Sequence, residues 1–555
     1  MNRQPLQIGI VVPSENIPSW ISYSISELYN SPFAQISAIF MSSNNKKQGI
    51  LNCPKQIKYW AYHLYLKIEN LFFKPKLNAF KAENIKKLFP ELNIIELKEE
   101  NGVSLPVLKK KHKSEIKIDL AIQFSQNKFL VRWQTIPRYG IWKICNNSQL
   151  LKNGFYAGFW EVIKKYPVTE GSISVDFPNN QSHIIYQTFS PTHPYSILKN
   201  ANRHYWKMSS ILVHKLRVFY ETFALEVDYS KKLSVKKLQY DFTDSRRPPD
   251  NIKLILNLIP FWIKTLLYFI NKALFLEQWV LLYNFERALP IRTNNLHRLI
   301  PPPDRLWADP HTFRQNGSYY IFIEEKLYAT RKGHISYIKL NEDGTSTKPQ
   351  KVLETPYHLS YPFIFKWNNI LYMIPESSAI NAIALYRCIQ FPDKWKFVHY
   401  LMENVCAVDA TLHFCNNKWW LFTNIKTHPG ATNWDQLFLF YADTPLSREW
   451  KSHVKNPIIS DAMRARPAGK ILKLNGKLIR PSQDCSSRYG AGIRFNEIIK
   501  ISPEEYLERE IDNLHPDWDK FVKGTHTVNF EEKMTIVDAI LKRPKFFGRD
   551  GYNKI

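Results

Sequence analysis

WADPHTFRQNGSYYIFIEE, residues 307–325, is the stretch of sequence that decides the fold of this chain. It predicts a β-hairpin, because two runs rich in aromatic and β-branched residues flank the pair Asn316-Gly317. This pair supplies the positive φ angles that a two-residue turn needs. Carboxylates lie at the start of the first predicted strand, in Asp309, and at the end of the second, in Glu324 and Glu325.

The hairpin recurs through the second half of the chain. Further copies turn at Asn368-Asn369, Asn416-Asn417 and Asn475-Gly476, so the first turn asparagines, 316, 368, 416 and 475, are 52, 48 and 59 residues apart. A weaker fifth copy covers residues 526–538. Two more predicted strands follow most hairpins, and four strands every ~50 residues indicate the blades of a β-propeller.

We therefore predict an all-β, five-bladed β-propeller over residues 279–545. The fifth blade lacks its outer strands at the C-terminal end, and residues 279–283 and 295–300, before the first blade, can supply them. The second of these segments must end at Pro301-Pro302-Pro303, because proline cannot donate to a strand ladder. Closure with strands from both ends of the domain removes edges that would otherwise aggregate.

Composition limits the other possibilities. The chain has 555 residues, and its six cysteines show no CxxC spacing. This argues against a zinc site and a disulfide framework, so we predict no metal site and a reducing, cytoplasmic compartment. Residues 1–13 are too short and too polar for a signal peptide.

The formal net charge is +27. This charge favours anionic partners, namely lipid head groups, nucleic acid, or acidic and phosphorylated sugars. A lysine-rich composition that only gives a solvated basic surface is the alternative. The lysine run at residues 109–113 is predicted to be a loop.

The N-terminal half predicts an α/β domain. Apolar strand-like runs at residues 8–12, 36–40, 118–124 and 139–144 alternate with helical segments such as 18–29, which is typical of parallel sheets. No GxGxxG or Walker loop is present, so a dinucleotide or P-loop site is not supported.

Four motifs in this half, RYGIW (138–142), GFWEV (158–162), PVTEG (167–171) and IIYQ (184–187), resemble the folate-dependent formyltransferase domain. The resemblance covers roughly residues 5–215 and implies a Rossmann-type α/β fold over residues 1–215. It also implies formyl-tetrahydrofolate as a cofactor, an Asn-x-His pair and a later Asp. The chain has Cys145-Asn146-Asn147 where the His is expected, and Asp176, before Asn179-Asn180, is the nearest later carboxylate. We therefore predict a degenerate formyltransferase-like domain.

A helical linker is predicted over residues 216–278. It contains a polar, proline-broken segment at 244–250 and an apolar segment at 252–276 that Pro260 and three lysines interrupt. No 18-residue apolar run survives, which argues against a membrane span. The apolar segment is expected to pack as helices between the domains. The alternative is a helix in a membrane interface, with Trp262 and Phe269 buried and lysines toward lipid phosphate.

Aligning the repeats places one polar side chain of each blade at the same position near the central channel, and the second strands end in further polar groups. Polar groups are costly to bury without a purpose, and carboxylates with aromatic residues suit carbohydrate. The candidate catalytic residues are Asp309, Asp409 and Glu376. The candidate substrate-binding residues are Trp307, Glu325, Tyr361, Arg464, Arg466, Asp484, Arg488 and His526, whose cationic members suit a phosphate or carboxylate.

The motifs ADPH (308–311), YPFI (361–364), PESS (375–378), VDAT (408–411), QDCSSRYG (483–490) and HTVN (526–529) resemble the N-terminal domain of glucosamine inositolphosphorylceramide transferases. That domain is similar to the five-bladed propeller glycosidases. Their chemistry implies an Asp base on blade one, matched by Asp309, and an Asp that modulates pKa on blade three, matched by Asp409. Their Glu acid on blade four is not matched, because Arg466 stands there, so Glu376 is the substitute acid.

Three functions remain open from the sequence. The first is a carbohydrate-active protein of glycan or glycolipid assembly, transferase or glycosidase-like, that binds or processes a sugar or sugar phosphate in the propeller channel without a cofactor. The second is an N-formyltransferase that acts on an amino sugar with a formyl-folate donor. The third is a non-enzymatic scaffold or peripheral binder of anionic membrane; nucleic acid is not expected as a partner.

Overall fold

The computed structural model describes residues 4–42, 60–100, 103–106, 116–124, 137–145, 156–177, 181–223 and 250–545. The chain forms two compact units, residues 1–263 with 427–432, and residues 264–426 with 433–555. The lysine run at 109–113, the polar segment at 244–249, the asparagines at 146–147 and 179–180, and the tail 546–555 lie outside the described residues.

The first unit is built on an eight-stranded mixed sheet. Its order is β10-β9-β8-β7-β1-β3-β5-β6. The five strands from β8 to β5 run parallel, while β6, β9 and β10 pair antiparallel at the two edges. The strands are β1 (Leu6–Val12), β3 (Ala34–Ser42), β5 (Ile94–Glu100), β6 (Val103–Pro106), β7 (Leu120–Gln123), β8 (Ile141–Cys145), β9 (Val168–Asp176) and β10 (Ser182–Pro191); β2 (Asn16–Pro18) and β4 (Ala82–Asn84) pair separately.

Read in chain order, the five parallel strands have the order 3-2-1-4-5. The predicted α/β layer is therefore confirmed, and the likeness to formyltransferases stays a prediction. Asp176 forms an ion pair with Lys143 across β9 and β8, and the Cys145 thiol lies 3.3 Å from the Ser174 hydroxyl. The helices are α1 (Ser19–Tyr29), α2 (Trp60–Phe73), α3 (Ile85–Leu88), α4 (Phe159–Lys164) and α5 (Ile197–Thr222).

Helix α6 (Asn251–Leu274) follows, and it continues through Pro260 as a single helix. Only Leu254, Leu258 and Phe261 of this helix are buried. By length and composition alone, α6 could cross a membrane. Our prediction of packed helices here was wrong. Packing would cover the apolar side chains of this helix with other protein, but most of them are exposed.

The second unit is a five-bladed β-propeller, as predicted. Each of the first four blades is a sheet whose strands pair antiparallel in sequence order. Blade one holds β13 (Arg305–Gln315), β14 (Ser318–Leu327), β15 (Gly333–Leu340) and β16 (Gln350–Leu353); blade two holds β17 (Ser360–Trp367), β18 (Ile370–Glu376), β19 (Ala382–Gln390) and β20 (Lys394–Glu403); blade three holds β21 (Ala407–Cys415), β22 (Lys418–Ile425), β23 (Leu437–Ala442) and β24 (Lys451–Ser452); blade four holds β25 (Leu472–Leu474), β26 (Lys477–Asp484), β27 (Gly492–Ile501) and β28 (Tyr506–Leu514).

The fifth blade joins both ends of the propeller. Its strands are β30 (Val528–Glu531), β31 (Met534–Pro544), β11 (Phe275–Asn284) and β12 (His297–Leu299), and β29 (Val522–Gly524) pairs with the far part of β31. Strand β11 pairs with β31 along its whole length, from Phe275 opposite Pro544 to Asn284 opposite Thr535. The predicted closure by segments that precede the first blade is therefore confirmed.

All five predicted hairpins form with two-residue turns. The residues that flank the turns are paired, as Gln315 is with Ser318 in blade one and Glu531 with Met534 in blade five. The first turn residue has a positive φ in every blade, from 47° to 52°. Separate apolar clusters fill the spaces between adjacent blades, including the space between blades five and one. The packing around the ring is therefore continuous.

Candidate functional site

Three blades bend their innermost strand at the same place. Asp309, Tyr361 and Asp409 have φ angles of 52°, 42° and 54°, and each lies where the pairing with the second strand shifts register. The left-handed region is unfavourable for residues other than glycine and recurs where a backbone is held for function. The bend takes these residues out of the strand ladder at the axis, which is where the repeat alignment placed them.

The Asp309 carboxylate is bonded to groups from blades two and five. Its Oδ1 accepts from the Thr527 hydroxyl at 2.8 Å and lies 3.3 Å from His526 Nε2, and its Oδ2 accepts from the Tyr361 backbone N–H at 3.2 Å. On its other side, His526 Nδ1 lies 2.6 Å from Asp538 Oδ2. The histidine is therefore held between two carboxylates, and blades one, two and five are joined at the axis.

The pKa values of His526 and Asp309 follow from their burial and from neighbouring charges. Burial lowers the pKa of His526, but Asp538 and Asp309 outweigh it and raise the value to about 9. Burial raises the pKa of Asp309 to about 6, against the opposing effect of His526. At neutral pH the pair is therefore an imidazolium bonded to a carboxylate.

Asp409 is held by blade four. The Arg466 guanidinium forms a two-pronged ion pair with it, and Gln483 Nε2 donates to Asp409 Oδ2 at 2.8 Å. The same guanidinium lies 3.7 Å from Glu376 Oε2 and 4.9 Å from the centre of the Tyr489 ring. Arg466 therefore serves as the counterion of the blade-three and blade-two carboxylates.

Glu324 and Glu376 form the outer layer of the cluster. Their side chains are each 11% exposed, against 5% for Asp309 and 1% for Asp409. Burial raises the pKa of Glu324 to about 8, with Asp309 adding to it. Burial also raises the pKa of Glu376 to about 7, with Asp409 adding to it and Arg466 opposing. These two carboxyl groups hold protons near neutral pH and are the more accessible acids of the axis.

Tyr361 joins three blades from a fully buried position. Its hydroxyl is bonded to the Thr411 hydroxyl at 2.8 Å and accepts from the Gly469 backbone N–H at 2.8 Å. Burial raises its pKa well above the ordinary value. A hydroxyl held this way is a structural link, and a ligand would reach it only after these bonds were broken.

Five other predicted site residues bond to groups away from this cluster. Trp307 Nε1 donates to Glu325 Oε1, and Glu325 is bonded further to Arg305, His334 and Ser336, whose bonds hold its pKa at about 2 despite burial. The partners of the remaining three are Asp461 for Arg464, Arg494 for Asp484, and Glu277 for Arg488.

Sequence reasoning did not select four residues that complete the site. Glu324 and Gln483 were noted only as polar ends of second strands, while Asp538 and Tyr489 were not assigned roles as site residues. Glu324 and Glu325 are adjacent in a strand, so only one of them can face the axis. Which of the two faces the axis depends on the bulge in the opposite strand, and the sequence does not show that bulge. The signal for Asp538 was available, since it ends the second strand of the fifth repeat as Glu376 ends that of the second.

Asp309, His526 and Asp538 could together hold a metal ion, because one ligand atom from each lies within 4.8 Å of the others. His526 would have to be neutral to bind a metal. Its pKa of about 9 favours the imidazolium instead. With the imidazolium, the three side chains form an ion-paired network; the absence of a metal site stays a prediction.

The propeller matches a known family. Residues 286–536 match the family described as glucosamine inositolphosphorylceramide transferase 1, N-terminal. The protein of that name from Arabidopsis thaliana is 36% identical over 212 residues, which are 38% of this chain and 28% of the relative. The protein of the same name from Oryza sativa subsp. japonica is 34% identical over 209 residues, 37% of this chain and 28% of the relative. The chain thus spans less than a third of the length of these relatives.

Solved glycosidase structures also resemble the chain. An exo-1,5-alpha-L-arabinanase from a bovine ruminal metagenomic library is 16% identical and covers 46% of this chain and 98% of its own, with a TM-score of 0.31. A family 117 glycoside hydrolase from Zobellia galactanivorans is 12% identical and covers 48% of this chain and 90% of its own, with a TM-score of 0.31.

Proposed function

We propose that the propeller binds a sugar or sugar phosphate at its axis and acts in glycan or glycolipid assembly. The observation that carries this proposal is the convergence of Asp309, Asp409 and His526 from three blades, next to the more accessible acids Glu324 and Glu376. The name of the matching family, glucosamine inositolphosphorylceramide transferase 1, supports a sugar as the ligand.

The inner pair of carboxyl groups, Asp309 and Asp409, and the outer pair, Glu324 and Glu376, are suited to different roles. Asp309 and Asp409 have their oxygens engaged by His526 and Arg466, so they hold the blades and set the field at the axis. Glu324 and Glu376 are more accessible and would contact the sugar hydroxyls. Tyr489 is half-buried, with the Arg466 guanidinium over its ring and the rings of Trp434 and His526 beside it, so it helps to hold Arg466 in place.

The same arrangement supports an acid–base reaction. Glu324 with a pKa of about 8 can donate a proton at neutral pH. Asp309 with a pKa of about 6 is ionised and can accept one once its contact with His526 or Thr527 opens. Glycoside cleavage needs two carboxyl groups in such different states. Glu376 is the second candidate acid, as the sequence predicted, and Glu324 joins it.

The test is a calorimetric binding screen of the full chain against glucosamine, glucosamine phosphates, inositol phosphates and nucleotide sugars. Glu324→Gln/Glu376→Gln, which removes both acids and keeps their size, should weaken binding of the active ligand at least about tenfold. Asp443→Asn is the matched control, because this carboxylate lies on the propeller with its side chain 89% exposed. Its affinity should equal that of the wild type.

Two results would contradict the proposal. One is sugar binding that survives intact in the double variant. The other is failure of every sugar and sugar phosphate to bind a correctly folded wild type.

Formyl transfer by the first unit remains a separate prediction from its motifs, and a formyl-folate analogue belongs in the same screen. Binding of that analogue with equal affinity to the wild type and to Glu324→Gln/Glu376→Gln would place a second ligand in the first unit.

A further inference from the structure

Helix α6 carries an unusually large exposed apolar surface. Twelve large apolar side chains between Ile252 and Leu274 are more than a third exposed, among them Ile252 at 74%, Leu256 at 64% and Leu266 at 61%. The helix contains no acidic residue and three lysines. Contiguous apolar surface of this size in a folded protein marks a site of interaction.

The buried side of α6 is narrow. Leu254, Leu258 and Phe261 follow one another at helical spacing and pack in a cluster with residues of α2 and α4. The N-terminal end is tied to α2 by a bond from the Ala61 N–H to Asn251 Oδ1 at 3.2 Å. One stripe of the helix is therefore fixed to protein, and the other faces remain exposed.

Helix α2 repeats this pattern. Trp60, Leu64, Ile68 and Leu71 are spaced as one helix face and are between 43% and 81% exposed, while Ala61, Tyr62 and Tyr65 pack inward against the α6 cluster. Lys67, Lys74 and Lys76 are exposed on or just after this helix. Helix α2 and helix α6, whose residues 251–263 belong to the same unit as α2, thus both present apolar faces beside lysines and few acids.

We propose that α2 and α6 bind the surface of a bilayer that contains anionic lipid, with α6 lying in the plane of the interface. Apolar side chains would enter the boundary between head groups and acyl chains, and the lysines would meet lipid phosphates. The net charge of +27 provides the long-range attraction to such a surface. This proposal does not depend on the sugar site.

The orientation follows from Lys264. This lysine lies at the fourteenth of the 24 positions of α6, which would be close to the bilayer centre in a spanning helix. A charge there is costly, whereas a helix in the interface allows every lysine to reach water or phosphate. Polar contacts at both ends of α6, through Asn251 and through Asn271 to Lys542, also hold it beside folded protein.

The experiment is flotation of the full chain with vesicles of phosphatidylcholine, and of phosphatidylcholine mixed with phosphatidylglycerol. The wild type should float with the anionic vesicles at least tenfold more than with the neutral ones, and salt should release it. Leu256→Glu/Leu266→Glu should lose at least tenfold of this binding. Because both side chains are exposed, its thermal unfolding should match that of the wild type.

Ile389→Glu is the matched control, since Ile389 is 55% exposed on a propeller strand; it should bind vesicles like the wild type. If Ile389→Glu lost vesicle binding to the same extent as Leu256→Glu/Leu266→Glu, the assignment of α2 and α6 as the membrane-binding surface would be overturned. Retention on neutral vesicles at high salt would overturn the interfacial orientation in favour of a spanning helix. A lipid-free dimer that Leu256→Glu/Leu266→Glu dissociates would overturn the lipid partner in favour of a second copy of the chain.

Discussion

At the scale of residues, the axis of the propeller holds two buried aspartates by two different cations. Asp409 is bonded to a guanidinium, which stays charged at every pH at which the protein is folded. Asp309 is bonded to an imidazolium, whose charge depends on its neighbours. The two halves of the cluster should therefore respond differently to mutation and to pH.

Removing Arg466 should cost stability. Arg466→Ala leaves Asp409 buried beside Glu376 without its cation, and a broken buried pair typically costs about 3–5 kcal/mol. Arg466→Lys keeps the charge but not the two-pronged geometry, so its loss should be smaller. Urea denaturation measures both. Arg509→Ala is the control, since Arg509 pairs with Glu497 from a half-exposed position and should contribute under about 1 kcal/mol. Equal losses at the two sites would show that the axial pair is not stabilising.

Stability should fall as the pH rises through the pKa of His526. Its folded pKa of about 9 lies above the ordinary value of 6.5, so its contribution is complete below about pH 6.5 and is lost as the pH rises through about 9. Asp309, at about 6, has titrated below this window, whereas Glu376 at about 7 and Glu324 at about 8 titrate within it and add to the decline. Denaturation curves at intervals across the window should show this decline in the wild type and a flatter profile in His526→Gln. An equally steep decline in the variant would assign the effect to another group.

At the scale of elements, the five hairpins are the local units from which the propeller is built. Their turns require left-handed backbone, which the sequence supplies as Asn-Gly or Asn-Asn in four blades and as Glu532-Lys533 in the fifth. Since the requirement is one of backbone conformation, glycine at the second turn position should favour the stability of the protein over a non-glycine residue.

Gly317→Ala should destabilise the protein by about 1 kcal/mol, because Gly317 has a φ of 76° and an added Cβ would meet nothing within 4 Å. The cost is then conformational rather than steric. Asn369→Gly, at a φ of 61° in the equivalent turn, should be neutral or slightly stabilising. Thermal unfolding of the two variants checks the pair, and a destabilised Asn369→Gly would mean that its side chain makes a needed contact.

The hairpins could be predicted from the sequence because each depends on about twenty consecutive residues. The alignment of Asp309, Tyr361, Asp409, Arg466 and His526 followed from the same repeat. The bonds among them could not be predicted in full, since Asp409 and Arg466 are 57 positions apart and their contact depends on how neighbouring blades are rotated. The choice between Glu324 and Glu325 failed for a related reason, because a bulge sets which of them faces the axis.

At the scale of the whole molecule, the described residues form two units, of which the second is a ring. That ring has no free end, because β11 lies between β31 and β12 in the last blade. Val280 and Leu282 of β11 also belong to the apolar cluster between blades four and five. Ring closure therefore contributes both strand pairing and burial.

A fragment of residues 275–545 should fold, whereas one of residues 286–545, which lacks β11, should not unfold cooperatively on heating. Loss of β11 leaves the edge of β31 unpaired and opens the cluster between blades four and five. Near-ultraviolet circular dichroism with thermal melting compares the two fragments. Identical cooperative melting would show that the ring is stable without its closing strand. The region that matches the plant transferases, 286–536, omits this strand.

The position of the closing strand in the sequence also determines when the ring can close during synthesis. Strand β11 ends at residue 284 and its partner β31 begins at residue 534, so 250 residues must be translated after β11 before its partner starts to appear. At roughly 5–20 residues per second, the edge of β11 that pairs with β31 stays unpaired for roughly 10–50 s during synthesis. The first four blades can form one after another during that wait, but the ring can close only when the last strand leaves the exit tunnel. A ribosome that stalls in the fifth blade therefore leaves a nascent chain with an open ring and exposed strand edges, the state most in need of a chaperone.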